Sequence, residues 1–226
     1  MGVDDLLSFS NLIWLAFSLQ LLGYAARDEL KLRLLMLSGG LVYVLHFVLL
    51  SGGPLWSSVV TNTALVAINA VVTTIVIFER TMVGITGERA DIYRRFSMLR
   101  PGQFRKLIGA GTVQTAETDA PVIRQGDLVK TLFFVLDGNA VVTKGGSTTS
   151  IGPNVFLGEV GYLTGVRASA TVHLTPGTRF VAWPHEKLER MIARSPEMKM
   201  AVVALLNQDM AGKVASSMPT ELRQGA

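Results

Sequence analysis

The sequence predicts a membrane unit of three α-helices followed by an α+β domain built on an antiparallel β-roll, or jelly roll, with flanking helices. Three observations carry this expectation. Residues 6–26, 34–51 and 54–78 are apolar stretches that each approach the ~20 residues a helix needs to cross hydrocarbon. From 112 onward the pattern changes to short runs of period two, punctuated by Asp-Gly, Gly-Gly and Pro-Gly turn pairs. After 184 a helical apolar period returns.

The first stretch opens on Asp4 and Asp5 and is followed by two more apolar stretches, which argues against a cleaved secretory leader. Arg27, Lys31 and Arg33 fill the first loop, whereas "SGGP" at 51–54 carries no charge. Arg80, Arg89, Arg94 and Arg95 follow the third stretch. Basic loops stay on the cytoplasmic side, so the expected topology has the N-terminus outside and everything after Phe78 inside, at the plasma (inner) membrane. Gln20, His46, Asn62, Asn69 and Thr73 lie within the spans. With no intramembrane carboxylate, lysine or filter-like segment beside them, they read as interhelical hydrogen-bonding groups rather than an ion path.

Residues 79–99 read as a charged connector without a strong apolar stripe, helical along "RADIYRRFSML". Pro101 opens a helix with Phe104, Leu107 and Ile108 on one face, ended by Gly109 and Gly111. "VIRQGD" reads as a strand entering a glycine turn. "LFFVL-DG-NAVVT" and "VHLT-PG-TRFVAW" each read as a hairpin, with "KGGS" as a further turn. A helix runs from Pro184 to Arg194, and Ser195-Pro196-Glu197 starts another, continuing to Ser216. Two apolar rows lie on that last helix, Val203-Leu206-Met210-Val214 and Met198-Val202-Leu205, one more than its own domain needs. The expected divisions are a membrane region at 1–78, a connector at 79–99, a folded domain at 100–218 and a tail at 219–226.

Charge and composition narrow the function. Residues 1–78 hold three of the 21 Lys and Arg and four of the 17 Asp and Glu, leaving +5 on residues 79–226. A basic half next to a membrane half suits an anionic leaflet or an anionic ligand. No basic-aromatic interleaving or recognition helix points to nucleic acid. The absence of cysteine removes disulfides, thiolate nucleophiles and cysteine metal sites, and the three histidines are scattered. With no nucleophile-base pair, metal cluster or filter, neither an enzyme nor a channel is expected, and no cofactor.

Within the β-rich part, "FLGEVGYLTGVRASATV" at 156–172 resembles the cassette of the cyclic nucleotide-binding domain family, Phe-x-Gly-Glu-x-x-x-Leu-x-x-x-Pro-Arg-x-Ala-Thr/Ser, and the whole resemblance covers 100–216. Phe156, Gly158, Glu159, Leu163, Ala170 and Thr171 match without a gap. The resemblance implies a cyclic nucleotide, cAMP first, bound by Phe156, Leu157, Gly158, Glu159, Val160, Arg167, Ala168, Ser169, Ala170 and Thr171. Glycine lets backbone approach the ligand, and free N–H groups face the cyclic phosphate. Glu159 accepts the ribose 2′-hydroxyl or, on the plainer reading, only caps its helix. The family's phosphate arginine pairs by charge-assisted bonds. Here that slot holds Ala168 and the proline slot holds Arg167, which in an extended segment points to the opposite face. The lost bond implies affinity weakened by about 1.5–3 kcal/mol.

Three spans, an outside N-terminus and "RFVAWPHEKLERMIARSPEMKMAVVALLNQDMAGKVASS", with its Asp209-x-x-x-Lys213 spacing, narrow the resemblance to the Popeye domain-containing proteins, in a bacterial relative. The Popeye motifs Asp-Ser-Pro-Glu and Phe-Gln-Val-Thr are not intact here: Gly158-Glu159 and Thr171 stand in their place. The resemblance implies a membrane-anchored cAMP sensor that changes a protein-protein interface, a homodimer through its terminal helix and transmembrane helices. The alternative is a non-catalytic scaffold with a degenerate pocket.

Overall fold

In the computed structural model, residues 3–50 and 53–217 are described, so the expected tail at 219–226 and part of the "SGGP" loop fall outside them. The chain divides into two units, Met1–Val83 and Gly84–Ala226.

In the first unit, helices α1 (Val3–Ala25), α2 (Glu29–Val48) and α3 (Trp56–Arg80) follow one another, with α2 packed against both others. Paired glycines on α2 allow this. A Cβ on Gly39 would stand 3.0 Å from the Ala16 carbonyl oxygen of α1, and one on Gly40 would stand 2.7 Å from Val66 Cγ2 of α3. Asp28 caps α2 by accepting the Lys31 N–H at 3.0 Å and pairs with Arg80 at 2.8 Å, tying the first loop to the end of α3. Large apolar side chains such as Leu22, Ile68 and Val71 face outward. Among the described residues two helices, α2 and α3, are long and apolar enough to cross a membrane, against the three expected. The polar groups follow expectation in part. Asn69 Oδ1 accepts an interhelical bond from Arg33 Nη1 at 3.5 Å, whereas Asn62 donates to Ser58 O and Thr73 to Asn69 O, so both satisfy their own helix.

The second unit begins with α4 (Glu88–Arg95) and α5 (Pro101–Ala110), followed by strands β1 (Thr112–Thr115), β2 (Pro121–Ile123), β3 (Thr131–Asp137), β4 (Ala140–Lys144), β5 (Ser147–Ile151) and β6 (Phe156–Leu157). Helix α6 (Glu159–Thr164), strands β7 (Thr171–Leu174) and β8 (Arg179–Pro184), and helices α7 (His185–Ala193) and α8 (Pro196–Ser217) complete it. Two four-stranded antiparallel sheets, ordered β1-β8-β3-β6 and β2-β7-β4-β5, make the roll. Strand β3 is buried on both faces, which is why its sequence is a continuous apolar run. Phe133 and Val135 point between the sheets, whereas Leu132, Phe134 and Leu136 point into the layer beneath the helices.

Of the connector expected at 79–99, the part from Gly84 onward is built into that second layer. Ile85, Ile92, Phe96 and Leu99 are all buried there, an apolar stripe hidden among arginines. Arg95 fastens α4 to the roll through the Leu136 carbonyl, Asn154 Oδ1 at 2.8 Å and Asp137 at 2.9 Å. Both Asp-Gly and Pro-Gly turns also differ from expectation. Strands β3 and β4 lie in different sheets, as do β7 and β8, so these turns are corners between sheets rather than hairpins. The two corners hold each other: Thr178 Oγ1 accepts the Asn139 N–H at 3.1 Å and donates back to Asn139 O at 3.0 Å. "KGGS" alone of the three pairs makes a hairpin, with Lys144 opposite Ser147.

Ser195 Oγ accepts the Met198 N–H at 3.3 Å and starts α8 as expected. The two apolar rows do not divide as expected. Leu206 is 0% exposed and joins Met198, Val202 and Leu205 against the domain's own core, whereas Val214 is 56% and Met200 66% exposed. The 3.6-residue period turns position 206 back toward the 198–202–205 face.

Candidate functional site

The site is built where β6 ends. Phe156 and Leu157 pair with Phe134 and Phe133 of β3, burying both side chains. Gly158 then turns the chain at φ 87°, and α6 begins at Glu159. This left-handed turn has no room for a side chain, since a Cβ would lie 2.9 Å from Val129 Cγ1.

A pocket of about 170 Å³ opens beside the turn, with Glu159, Gly161, Ala168, Ser169, Ala170 and Lys213 in its wall. Phe156, Leu157, Gly158 and Val160 also line it, so eight of the ten expected site residues come together. Arg167 and Thr171 do not. The Arg167 guanidinium donates to Gly126 O at 2.8 Å and lines a neighbouring groove with Arg124 and Lys130. Thr171 Oγ1 accepts the Gln125 N–H at 3.1 Å. Ala168 exchanges two backbone hydrogen bonds with the loop at 126–127: Gly126 N–H to Ala168 O at 2.9 Å, and Ala168 N–H to Asp127 O at 2.8 Å. The shift of the arginine by one residue therefore turns its charge away from the pocket.

Charge reaches the pocket from an element that sequence reading placed elsewhere. Lys213, near the end of α8, pairs with Glu159 at 2.7 Å and with Asp209 at 2.7 Å, and donates to the Phe156 carbonyl. Asp209 Oδ1 accepts the Phe156 N–H at 3.1 Å. One turn of α8 thus holds both backbone groups of Phe156, and its ammonium reaches across to the cassette carboxylate. The Glu159 carboxylate accepts from Lys213 Nζ at 2.7 Å. The Asp209-x-x-x-Lys213 spacing was the available signal; its target, more than fifty positions upstream, was not readable. Among the described residues no cluster of His, Asp or Glu is placed to hold a metal ion.

Tyr162, also on α6, packs against His185 of α7 with ring centroids 4.9 Å apart and planes tilted by 52°. Burial first, and then the Glu189 carboxylate beside it, push its phenol well above the ordinary value.

Comparison with known proteins agrees with this geometry. The family model described as "Cyclic nucleotide-binding domain" matches residues 113–195. A candidate potassium channel protein of Rhodopseudomonas palustris is 25% identical over 131 residues, 56% of this chain and 31% of that protein, so the chain spans under a third of that relative. Among solved structures, a candidate cyclic nucleotide-binding protein of Geobacter metallireducens superposes with a TM-score of 0.50 at 17% identity, covering 57% of this chain and 98% of that one. A cyclic nucleotide-binding domain of Methylobacillus flagellatus gives 0.50 at 20% identity, covering 61% and 86%. These two likenesses concern the fold; the family match carries the relationship. Residues 113–195 belong to the cyclic nucleotide-binding domain family.

Proposed function

We propose that this protein is a membrane-anchored cyclic nucleotide sensor of the Popeye type, which takes cAMP in the roll and changes a protein-protein interface in response. The observation that carries the reading is Glu159, held at the first position of α6 in the wall of a pocket shared with Ala168, Ser169 and Ala170. A carboxylate there accepts a ribose hydroxyl, and the small residues leave room for a phosphate. The chain carries no catalytic role in this reading. All three N-terminal helices, at 1–78, serve as the anchor in the plasma (inner) membrane, with the N-terminus outside and the roll cytoplasmic.

The output surface is the face of α8 on which Met200 is exposed, and its partner is a second copy of the chain. Met200→Glu therefore weakens association of the full-length protein in membranes while the roll stays folded. Leu206 is unsuited to this test, because it is spent on the domain's own core. Cross-linking that finds equal dimer in Met200→Glu places the contact elsewhere.

Calorimetry of the full chain in lipid nanodiscs, titrated with cAMP and cGMP, tests the ligand. Binding of cAMP that is lost in Glu159→Ala supports the sensor. Absence of binding in both the parent and Ala168→Arg overturns it in favour of a second reading, a scaffold with a degenerate pocket. That reading draws on the small volume of the pocket and on the alanine in its phosphate slot.

A further inference from the structure

We propose that Lys213 supplies the anion-binding charge of this pocket, exchanging Glu159 for the ligand's phosphate when a cyclic nucleotide enters. The inference rests on the sensor reading above and names the residue that makes an alanine-bearing cassette workable.

Among the residues lining the pocket, Lys213 is the one cation and Glu159 the one anion. The cassette's own arginine slot holds Ala168, and the adjacent Arg167 is turned onto Gly126 O. An anion entering the pocket therefore has a single side-chain cation to meet, and it comes from α8, outside the matched 113–195 segment. Its position is prepared. Asp209 sits one turn earlier on the same helix and pairs with the ammonium at 2.7 Å, and the Phe156 carbonyl takes another of its N–H groups. A lysine ammonium has three donors, so the one released from Glu159 can turn to a ligand while the Phe156 carbonyl bond and the Asp209 ion pair hold the side chain.

The position of Lys213 also accounts for room. At about 170 Å³ the pocket is below the roughly 300–1,000 Å³ usual for small-molecule sites. Lys213, Phe156 and Ile151 stand in the wall between it and a groove of about 1040 Å³ lined by α8 and β5. A ligand too large for the pocket alone therefore extends into this groove past the ammonium, which stays at the shared wall.

Separating Lys213 from Glu159 leaves two opposite charges to be satisfied in a half-buried place, and an unsatisfied one is costly. A ribose cyclic phosphate satisfies both: its 2′-hydroxyl donates to Glu159 and its phosphate accepts from Lys213. A neutral nucleoside offers only the first of these. The ion pair thus makes the pocket selective for ligands that carry hydroxyl and phosphate together.

The test is calorimetry on the full chain in nanodiscs with cAMP and with adenosine, comparing the parent with Lys213→Met, Lys213→Gln, Ala168→Arg and the Ala168→Arg/Lys213→Met double variant. Both neutral variants at 213 should weaken cAMP about ten- to 150-fold, the loss of one hydrogen bond to charge. Adenosine binding should hold or tighten, since adenosine makes no bond to Lys213 and no longer has to part it from Glu159. Arginine at 168 should restore cAMP binding to the double variant. Lys213→Gln retains donors for Phe156 O and Asp209, so it keeps the test open if Lys213→Met unfolds. Unchanged or tighter cAMP binding in Lys213→Gln makes Lys213 a plug and overturns the proposal alone. Equal loss of cAMP and adenosine makes its role structural and also overturns it. Absence of cAMP binding in the parent and in Ala168→Arg removes the sensor reading, and this proposal with it.

Discussion

Gly158→Ala separates two costs that meet at the mouth of the pocket. The residue adopts φ 87°, and an alanine held in left-handed backbone costs about 1–2 kcal/mol. The added methyl would also lie 2.9 Å from Val129 Cγ1 and 3.2 Å from Ile123 Cδ1. Valine has little χ1 freedom with which to yield, so overpacking adds about 1–3 kcal/mol. The expected loss is therefore about 2–5 kcal/mol, a large part of the 5–15 kcal/mol typical of a domain. Gly145→Ala is the matched control. Gly145 also has positive φ, 57°, but nothing lies within 4 Å of its missing Cβ, so only the backbone cost applies. Both variants can be unfolded by urea in the full chain with Trp14 and Trp56 replaced by phenylalanine, leaving the buried Trp183 as the reporter. Equal losses at 145 and 158 would mean that Val129 does not wall the cassette, and the geometry of the pocket would have to be abandoned. Binding of cAMP should fall in Gly158→Ala and hold in Gly145→Ala, which lies on the distant β4–β5 turn.

Trp183→Phe removes a buried donor, Nε1–H to Leu107 O at 2.7 Å, and should cost about 1–3 kcal/mol by thermal melting; a neutral result would show that α5 does not depend on that bond. Tyr162→Phe should flatten the alkaline limb of stability. The folded phenol titrates above the unfolded value, so below about pH 10 both states hold the proton and stability is level, and as pH rises further the unfolded state alone releases it and stability falls. Identical alkaline limbs in parent and variant would contradict the burial of that hydroxyl. Arg95→Met should raise hydrogen exchange in α4 and spare α8, because Asp137, Asn154 and the Leu136 carbonyl lose their shared donor.

The fold was legible where one local rule decided the outcome. Gly145-Gly146 demanded a tight hairpin and made one, and Ser195-Pro196-Glu197 started a helix. Asp137-Gly138 and Pro176-Gly177 were misread because a turn dipeptide records backbone bending and not which sheet receives the next strand. That choice was made by β3, whose two apolar faces need partners on both sides, and by Thr178, which binds the opposite corner. The stripe at Ile85, Ile92, Phe96 and Leu99 was missed for a different reason. Its spacing of seven, four and three is helical, but only Ile92 lies within α4, and the arginines between hide the period.

The pocket was legible to the extent that its wall is contiguous in sequence. Positions 156–160 and 168–170 face one cavity because a strand end, a left-handed glycine and a short helix leave them no alternative. Arg167 could be placed outside by parity alone, since neighbours in extended chain face opposite ways. Lys213 obeyed no such rule. Its helical period puts it near Asp209, which reads as an ordinary i,i+4 surface pair worth a few tenths of a kcal/mol. What changes its meaning is tertiary: α8 lies across β6, so the pair grips the N–H and C=O of Phe156 and the ammonium reaches Glu159. A carboxylate expected to await a ligand is thus already engaged by its own chain. On the proposed reading, the affinity of this pocket depends on an exchange between α8 and the ligand, a contribution that the cassette read by itself does not contain.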